Sequence, residues 1–175
     1  MSKWRNRFLS QAKGRVLEVG AGEGPNLDQY PSEVDLIATE FDPDAIDLAR
    51  PKANAHVRLA SADIEHLAFA DASFDSVVAT LVFCSVERPI LGLAEVRRVL
   101  KPDGKLYLLE HVRSNRRWLG RLQDRLAPWW HTWTEGCNLN RDTEANVRAA
   151  GFEIEGLKIR WLGLIKTIVA QKPIN

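Results

Sequence analysis

The sequence predicts a single α/β domain over residues 1–175, with a mostly parallel seven-stranded sheet, helices on both faces and an antiparallel C-terminal hairpin strand. Three observations predict it. Short apolar runs alternate with helix-like segments along most of the chain. The first run, Val16–Val19, ends in the glycine-rich stretch VLEVGAGEGPN. Past Gly151, two apolar segments flank Gly163 and read as a hairpin.

Each element has its own signal. Val16–Val19 is a short buried strand, and Asn26–Tyr30 opens a turn or helix after the glycines. Asp35–Glu40 (DLIATE) is a second strand. Pro43–Arg50 is a helix, with Asp42 as N-cap and Pro43 at its first position. Val57–Ala60 is a third strand, and Phe74–Leu81 (FDSVVATL) is a buried fourth. Ile90–Leu100 places Ile90, Leu93, Ala94, Val96, Val99 and Leu100 mostly on one helical face. The turn Lys101-Pro102-Asp103-Gly104 stops that helix, and Lys105–Leu109 is a fifth strand. Arg141–Ala150 is a helix ended by Gly151. Glu153–Trp161 and Leu164–Gln171 form the hairpin.

Bulk composition excludes several classes. At 45% hydrophobic and 27% charged the chain is an ordinary globular sequence, and its net charge of +1 gives no reason to expect nucleic acid. Cys84 and Cys137 are the only cysteines, so no disulfide framework is expected. The residues before Gly14 carry charges throughout and lack the apolar core of a secretory leader, and no run has the length of a membrane span. A cytoplasmic location follows as the expectation, with peripheral membrane contact left open by the segment discussed below. Cys84, His111, His131 and Cys137 lack compact ligand spacing along the chain, so no metal is expected.

The glycine stretch poses a chemical choice. In a parallel sheet of this kind, ligands bind beyond the carboxyl ends of the strands, which puts Gly20, Gly22 and Gly24 at the site. A dinucleotide fingerprint needs a third glycine where this chain has Pro25. Glu18 is also a poor neighbour for a pyrophosphate at a helix N-terminus. A ligand carrying an ammonium and a sulfonium prefers that acid.

These residues resemble the motifs of class I S-adenosylmethionine-dependent methyltransferases, a Rossmann-like family, along nearly the whole chain. The first motif is Glu18-Val19-Gly20-Ala21-Gly22-Glu23-Gly24, followed by Asn26. The acid closing the second strand is Glu40, in ATEFDPDAI; the resemblance implies that it holds the ribose hydroxyls, with Phe41 beside the adenine. In SADIEHLAFADASFD it implies that Asp63 accepts from the adenine amino group, with Ile64 adjacent. Thr80 and Leu81 line the methionine part, and RRVLKPDGKLYLLEH matches the helix, turn and strand that follow. The cofactor implied is S-adenosylmethionine, released as S-adenosylhomocysteine.

The second half is similar to the alkyl-thiol methyltransferases of animal cells and their bacterial relatives. LVFCSVERP, LLEHV and APWWHTWTEGCNL carry that likeness, through Cys84, Ser85, Glu110, His111, Pro128, Trp130, His131, Gly136, Cys137, Asn138 and Leu139. The animal enzymes carry an N-terminal hydrophobic segment, whereas this chain starts almost directly at its first strand. A looser likeness to quinone and phospholipid methyltransferases keeps N-, O- and C-methylation open. An NAD-dependent oxidoreductase or a non-catalytic nucleotide-binding module is a remoter alternative.

The resemblance implies a small, hydrophobic acceptor, with a thiol as the leading choice. A thiol has a pKa near ~8.5, so a modest push makes the nucleophile, and histidine is suited to give it. His111, just past the fifth strand, and His131 are the candidate catalytic residues; each can instead be a packing or carbonyl-bonding residue. Cys84, Trp130, Cys137 and Asn138 are candidate substrate contacts, the two cysteines reading equally as small apolar fillers and Asn138 as a turn cap. Glu65 reads as a solvated acid or a stand-in for Asp63, and His56 and His66 as surface or packing residues.

Residues 113–140 are the most unusual stretch. Trp118, Trp129, Trp130 and Trp133 are interleaved with Arg113, Arg116, Arg117, Arg121 and Arg125, and Trp118, Leu119, Leu122 and Leu126 recur at helical spacing. The simplest expectation is a helix with its apolar stripe on the core and a solvated basic face. A lid over an apolar substrate, or a basic amphipathic surface that touches membranes, are the alternatives.

Overall fold

The computed structural model describes residues 2–134 and 136–173, with side chains from residue 5 onward. One seven-stranded sheet runs in the order β3-β2-β1-β4-β5-β7-β6. Its strands are β1 (Arg15–Val19), β2 (Asp35–Glu40), β3 (Val57–Ser61), β4 (Phe74–Thr80), β5 (Leu100–His111), β6 (Glu153–Arg160) and β7 (Ile165–Gln171). Strands β1 to β5 are mutually parallel, and β7 is antiparallel to both β5 and β6. The seven-stranded α/β architecture expected from the sequence is present, hairpin included.

Alternation along the strands builds two cores, one on each face of the sheet. In β1, Leu17 and Val19 point to the face covered by α3 (Pro89–Val99) and α5 (Thr143–Ala149), where Leu93, Val96, Val99 and Val147 are buried. Val16 points to the other face, under α1 (Ser2–Leu9), which contributes Phe8 and Leu9. The sequence pattern gives no sign of α1. Helix α2 (Pro43–Ala49) follows β2 and starts as expected, the Asp42 carboxylate accepting from the Asp44 N–H.

Three boundaries differ from expectation for local reasons. The residues Lys101–Gly104 do turn, with Asp103 at φ 63°, but they do so as a bulge inside β5. Phe74 pairs with Leu100 and Ser76 already pairs with Lys105, so the strand begins where the helix stops. Helix α5 starts after Arg141, because Asp142 is its N-cap and accepts from the Ala145 N–H. The hairpin turn between β6 and β7 holds Trp161 and Leu162, both at positive φ, next to Gly163. No described helix is long and apolar enough to cross a membrane.

Helix α4 (Arg117–Trp133) departs furthest from the simplest reading. Its apolar stripe does not face the core. Trp118, Trp129 and Trp133 are 61%, 59% and 72% exposed, and Leu122 and Leu126 are exposed beside them. Only Gly120 and Gln123 of this helix are buried. The attachment is polar: Gln123 accepts from the Ser114 N–H and donates to the carbonyls of Val112 and Leu139, while Arg113 pairs with Asp124 at 2.8 Å. Gly120 packs closely on Arg113 and Ser114, where a Cβ would come to 3.0 Å of the guanidinium and of the Ser114 carbonyl.

The loop after β4 is fixed by one side chain. Glu110, near the end of β5 and fully buried, accepts the backbone N–H groups of Val82, Phe83 and Cys84 at 3.0–3.1 Å. Replacing it with alanine strands three donors, of which those of Phe83 and Cys84 are in buried contacts, so Glu110→Ala is expected to cost about 3 kcal/mol of unfolding free energy. Glu110→Gln, which keeps an acceptor, should cost less than half as much; urea denaturation of the two variants checks the order.

Candidate active site

Strand order reverses between β1 and β4, and an open cleft of about 900 Å³ lies beyond their carboxyl ends. The glycine loop forms one wall. Gly20 sits at φ +63°, and a Cβ there would come within 2.5 Å of Val82. Gly22 sits at φ +54° with nothing within 4 Å of a Cβ position, which leaves its cleft side open for a ligand. Its N–H donates to Glu40 Oε2 at 2.8 Å, and the other Glu40 oxygen accepts from Phe41 and Asp42. The second-strand acid therefore clamps the glycine loop while lining the cleft.

Most of the residues expected at the cofactor gather here. Gly20, Ala21, Gly22, Glu40, Phe41, Asp63, Ile64, Thr80 and Leu81 all line the cleft. Phe41 is 72% exposed, an apolar ring left in solvent at its edge. Asp63 keeps one oxygen on the Glu65 N–H and the other near His66. Leu81 holds positive φ without being glycine, a strain concentrated where β4 meets the cleft.

Glu18, Gly24 and Asn26 do not line the cleft; they lie beneath its wall. Glu18 is fully buried, and Asn26 bridges it to Thr80, donating to both side chains. Burial lifts the Glu18 carboxyl to about 7, and hydrogen bonds from Asn26 and the Tyr30 hydroxyl only partly oppose this. Among the described residues, Asn26 Oδ1 is buried without a hydrogen-bond partner, and Glu18 Oε2 has no neighbour to bond besides the Tyr30 hydroxyl.

Several lining residues have no local sequence signal. Arg5 reaches the cleft from α1 and Lys52 from the turn after α2. Glu65 is not solvated: it is buried and braces Arg88 through an ion pair at 2.7 Å and a bond from the Arg88 N–H. His56 and His66 are exposed, as read from the sequence.

The candidate substrate residues assemble beside the cleft, outside its lining. Val82 and Ser85 line the cleft, and Cys84 between them turns inward. Cys84, His111 and Cys137 bring Sγ, a ring nitrogen and Sγ within 4.8 Å of one another. His111 Nδ1 is 3.8 Å from Cys137 Sγ. The Cys84 thiol above all, with His111 and the Trp130 indole, holds the Cys137 thiol well below its ordinary value, and the Cys84 thiol is pushed up in return. His111 is raised by the same contact with Cys137. Spacing along the chain gave no hint of this group, because its members come from the loop after β4, the end of β5 and the loop after α4. Asn138 ties the loops together, its N–H and side chain both donating to the Cys84 carbonyl. His131 is exposed on α4, and Gly136 lies between its ring and the Ser85 carbonyl.

Known proteins match this arrangement. A family model described as "Methyltransferase domain" matches residues 17–108. The rat thiol S-methyltransferase TMT1B is 35% identical over 144 residues, covering 78% of this chain and 59% of that protein. The demethylmenaquinone methyltransferase of Deinococcus radiodurans is 38% identical over 117 residues, covering 61% of this chain and 48% of that protein. The chain thus spans about half to three fifths of the length of these relatives. The solved structure of an S-adenosylmethionine-dependent methyltransferase from Methanosarcina mazei shares the fold, with a TM-score of 0.77, 20% identity and coverage of 100% of this chain and 99% of that one.

Proposed function

The chain belongs to the methyltransferase-domain family and depends on S-adenosylmethionine, and from that premise we propose that it methylates the sulfur of a small hydrophobic thiol. The observation that carries the acceptor is the longer match to the thiol S-methyltransferase, over 78% of the chain against 61% for the quinone enzyme. The acceptor end supports it: a cysteine–histidine cluster next to the cleft and a tryptophan-rich helix above it.

Each cofactor group has a partner in this reading. Glu40 keeps one acceptor position, on Oε2, after its three N–H bonds and takes a ribose hydroxyl there. Phe41 and Ile64 flank the adenine, and Asp63 accepts from its amino group. Glu18 favours the ammonium through its buried charge beneath the glycine loop, with Asn26 and the Tyr30 hydroxyl holding the carboxylate in place. Thr80 and Leu81 shape the wall along the methionine chain.

Bound cofactor supplies an electrophilic methyl on a sulfonium and leaves as the neutral thioether S-adenosylhomocysteine. The protein's own task is to hold the acceptor sulfur in line and to keep water out. The acceptor's S–H proton is taken at the polar cluster where His111 and His131 stand, and the thiolate pair then forms the new carbon–sulfur bond.

A second reading rests on α4. Arg117, Arg121 and Arg125 run as an exposed i, i+4, i+8 row beside the stripe Trp118, Leu122, Leu126, Trp129 and Trp133. Trp129 and Trp133 stack at 5.1 Å. The exposed hairpin residues Trp161 and Leu162 abut Asn115 and Arg116, next to the start of this helix. An interfacial contact with an anionic bilayer accounts for the outward stripe and delivers a membrane-dissolved acceptor.

Three outcomes are expected. Because Glu18 is lifted to about 7 and an ammonium favours its charged form, affinity for S-adenosylmethionine should rise with pH from about 5.5 to 7.5, by up to about tenfold per unit. Calorimetry across that range should show the rise in the wild type and a flat profile in Glu18→Gln; a flat wild-type profile removes Glu18 from the ammonium. Methyl transfer from labelled cofactor should give thioether with alkyl or aryl thiols or sulfide, well above a no-enzyme blank. Label appearing only in a quinol or an amine lipid would keep the family and discard the thiol. In flotation assays, Trp129→Ala/Trp133→Ala should cut partitioning onto phosphatidylserine-containing vesicles by about tenfold, with phosphatidylcholine vesicles binding weakly in either case.

A further inference from the structure

We propose that Cys84, His111 and Cys137 form a binding site for a soft divalent cation, zinc by chemical class, with two thiolates and one imidazole as ligands and a fourth position taken by a molecule from solution. The geometry is close to what such an ion requires. A tetrahedral zinc with Zn–S near ~2.3 Å and Zn–N near ~2.0 Å separates its ligand atoms by roughly 3.5–3.8 Å. Here Cys137 Sγ and His111 Nδ1 stand at 3.8 Å, and all three ligand atoms lie within 4.8 Å of one another. Small rotamer shifts close the set.

The scaffold around these atoms is rigid and leaves them available. Glu110 holds the backbone on either side of Phe83, and Asn138 holds the Cys84 carbonyl, so both cysteine-bearing loops are fixed without using either sulfur. The competing contacts of the ligand atoms are a 3.7 Å approach of Ser85 Oγ to Cys84, the buried Glu110 carboxylate beside the Cys84 thiol, and the Trp130 indole at Cys137. Partial exposure of His111 leaves the ion a route in. Charge also balances. Two thiolates neutralise the ion, and the buried Glu110 is offset by the part-buried Arg141, which donates to the Val86 carbonyl. Two sulfurs and an imidazole select a borderline-soft metal over magnesium or calcium.

Three protein ligands with an open fourth place are the pattern of a reactive zinc site. A thiol bound there would lose its proton outright to solvent. That last role rests on the thiol reading above; binding of the ion does not.

The test is metal binding by the reduced, chelator-stripped chain. Zinc titrated against a chromophoric chelator should load roughly one ion per chain, and cobalt should give a sulfur-to-metal charge-transfer band with the intense visible bands of tetrahedral coordination. Cys84→Ser and Cys137→Ser should each weaken zinc by at least ~100-fold while affinity for S-adenosylmethionine, whose cleft these sulfurs do not line, stays within about threefold and reports folding. The wild-type cobalt spectrum needs no variant, so the proposal stands or falls even if a variant misfolds. Absence of stoichiometric binding, or zinc affinity undiminished in the double variant, overturns it. So does a wild-type chain that takes no ion when reduced and only closes a Cys84–Cys137 disulfide on oxidation. A thiol-negative methyl-transfer panel with intact zinc binding would remove the acceptor reading alone.

Discussion

The buried carboxylate of Glu110 is the contact on which both ends of the site depend. It takes three consecutive N–H groups of the segment after β4, which otherwise have no strand to pair with. Burial pushes its pKa up to about 7 and those donors pull it back, so the loop's order and the acid's charge support one another. On one side the loop presents Val82 to Gly20, so closely that only glycine fits opposite. On the other it presents Cys84 to His111 and Cys137. Glu110 thus couples the glycine-loop wall of the cleft to the cysteine–histidine cluster. Methyl transfer is sensitive to how such parts are placed, because in-line displacement gains most of its rate from positioning.

Which residues would line the cleft was legible in the sequence because their signals are local. A strand, its terminal acid and a run of glycines are neighbours in the chain, and the topology needs only the βα alternation to put the next strand ends beside them. Glu40, Phe41, Asp63, Ile64, Thr80 and Leu81 all reached the cleft for that reason. The acceptor half was legible only as names. His111, Cys84 and Cys137 could be singled out, but their convergence depends on three elements that meet through long-range packing, which no spacing rule encodes. Arg5 was invisible for a similar reason: it sits on a helix whose pattern carries no ligand chemistry. Glu65 shows the converse, an acid that reads as solvated or as a stand-in for Asp63 and that in the structure is buried at the cleft against Arg88.

Helix α4 marks a different limit. Periodicity reads Trp118, Leu119, Leu122 and Leu126 as one stripe; in the structure Trp118, Leu122 and Leu126 are exposed together with Trp129 and Trp133, while Leu119 is half-buried. Periodicity does not fix which way the face turns. Here the decision lies in two residues of the opposite side. Gly120 lets the helix pass closely over Arg113 and Ser114, and Gln123 satisfies an N–H and two carbonyls that would otherwise be buried unpaired. Each such unmet group costs about 1–3 kcal/mol, so turning the stripe inward would sacrifice all three together.

That arrangement separates the two demands on the enzyme. The cofactor wall is polar, hydrogen-bonded and closed off beneath by the second core. The acceptor side is soft: polarizable sulfur, imidazole and indole, with a wide apolar stripe facing outward. Water stabilises a thiolate by solvating it, and in doing so makes it a poorer nucleophile. On the thiol reading proposed above, an acceptor arriving across an apolar surface sheds that water before it meets the sulfonium, and the attraction between thiolate and sulfonium is then felt at low dielectric. The outward stripe and Trp130, which contacts Cys137, belong to one helix, so on that reading a single element both collects an apolar acceptor and borders the cysteine–histidine cluster.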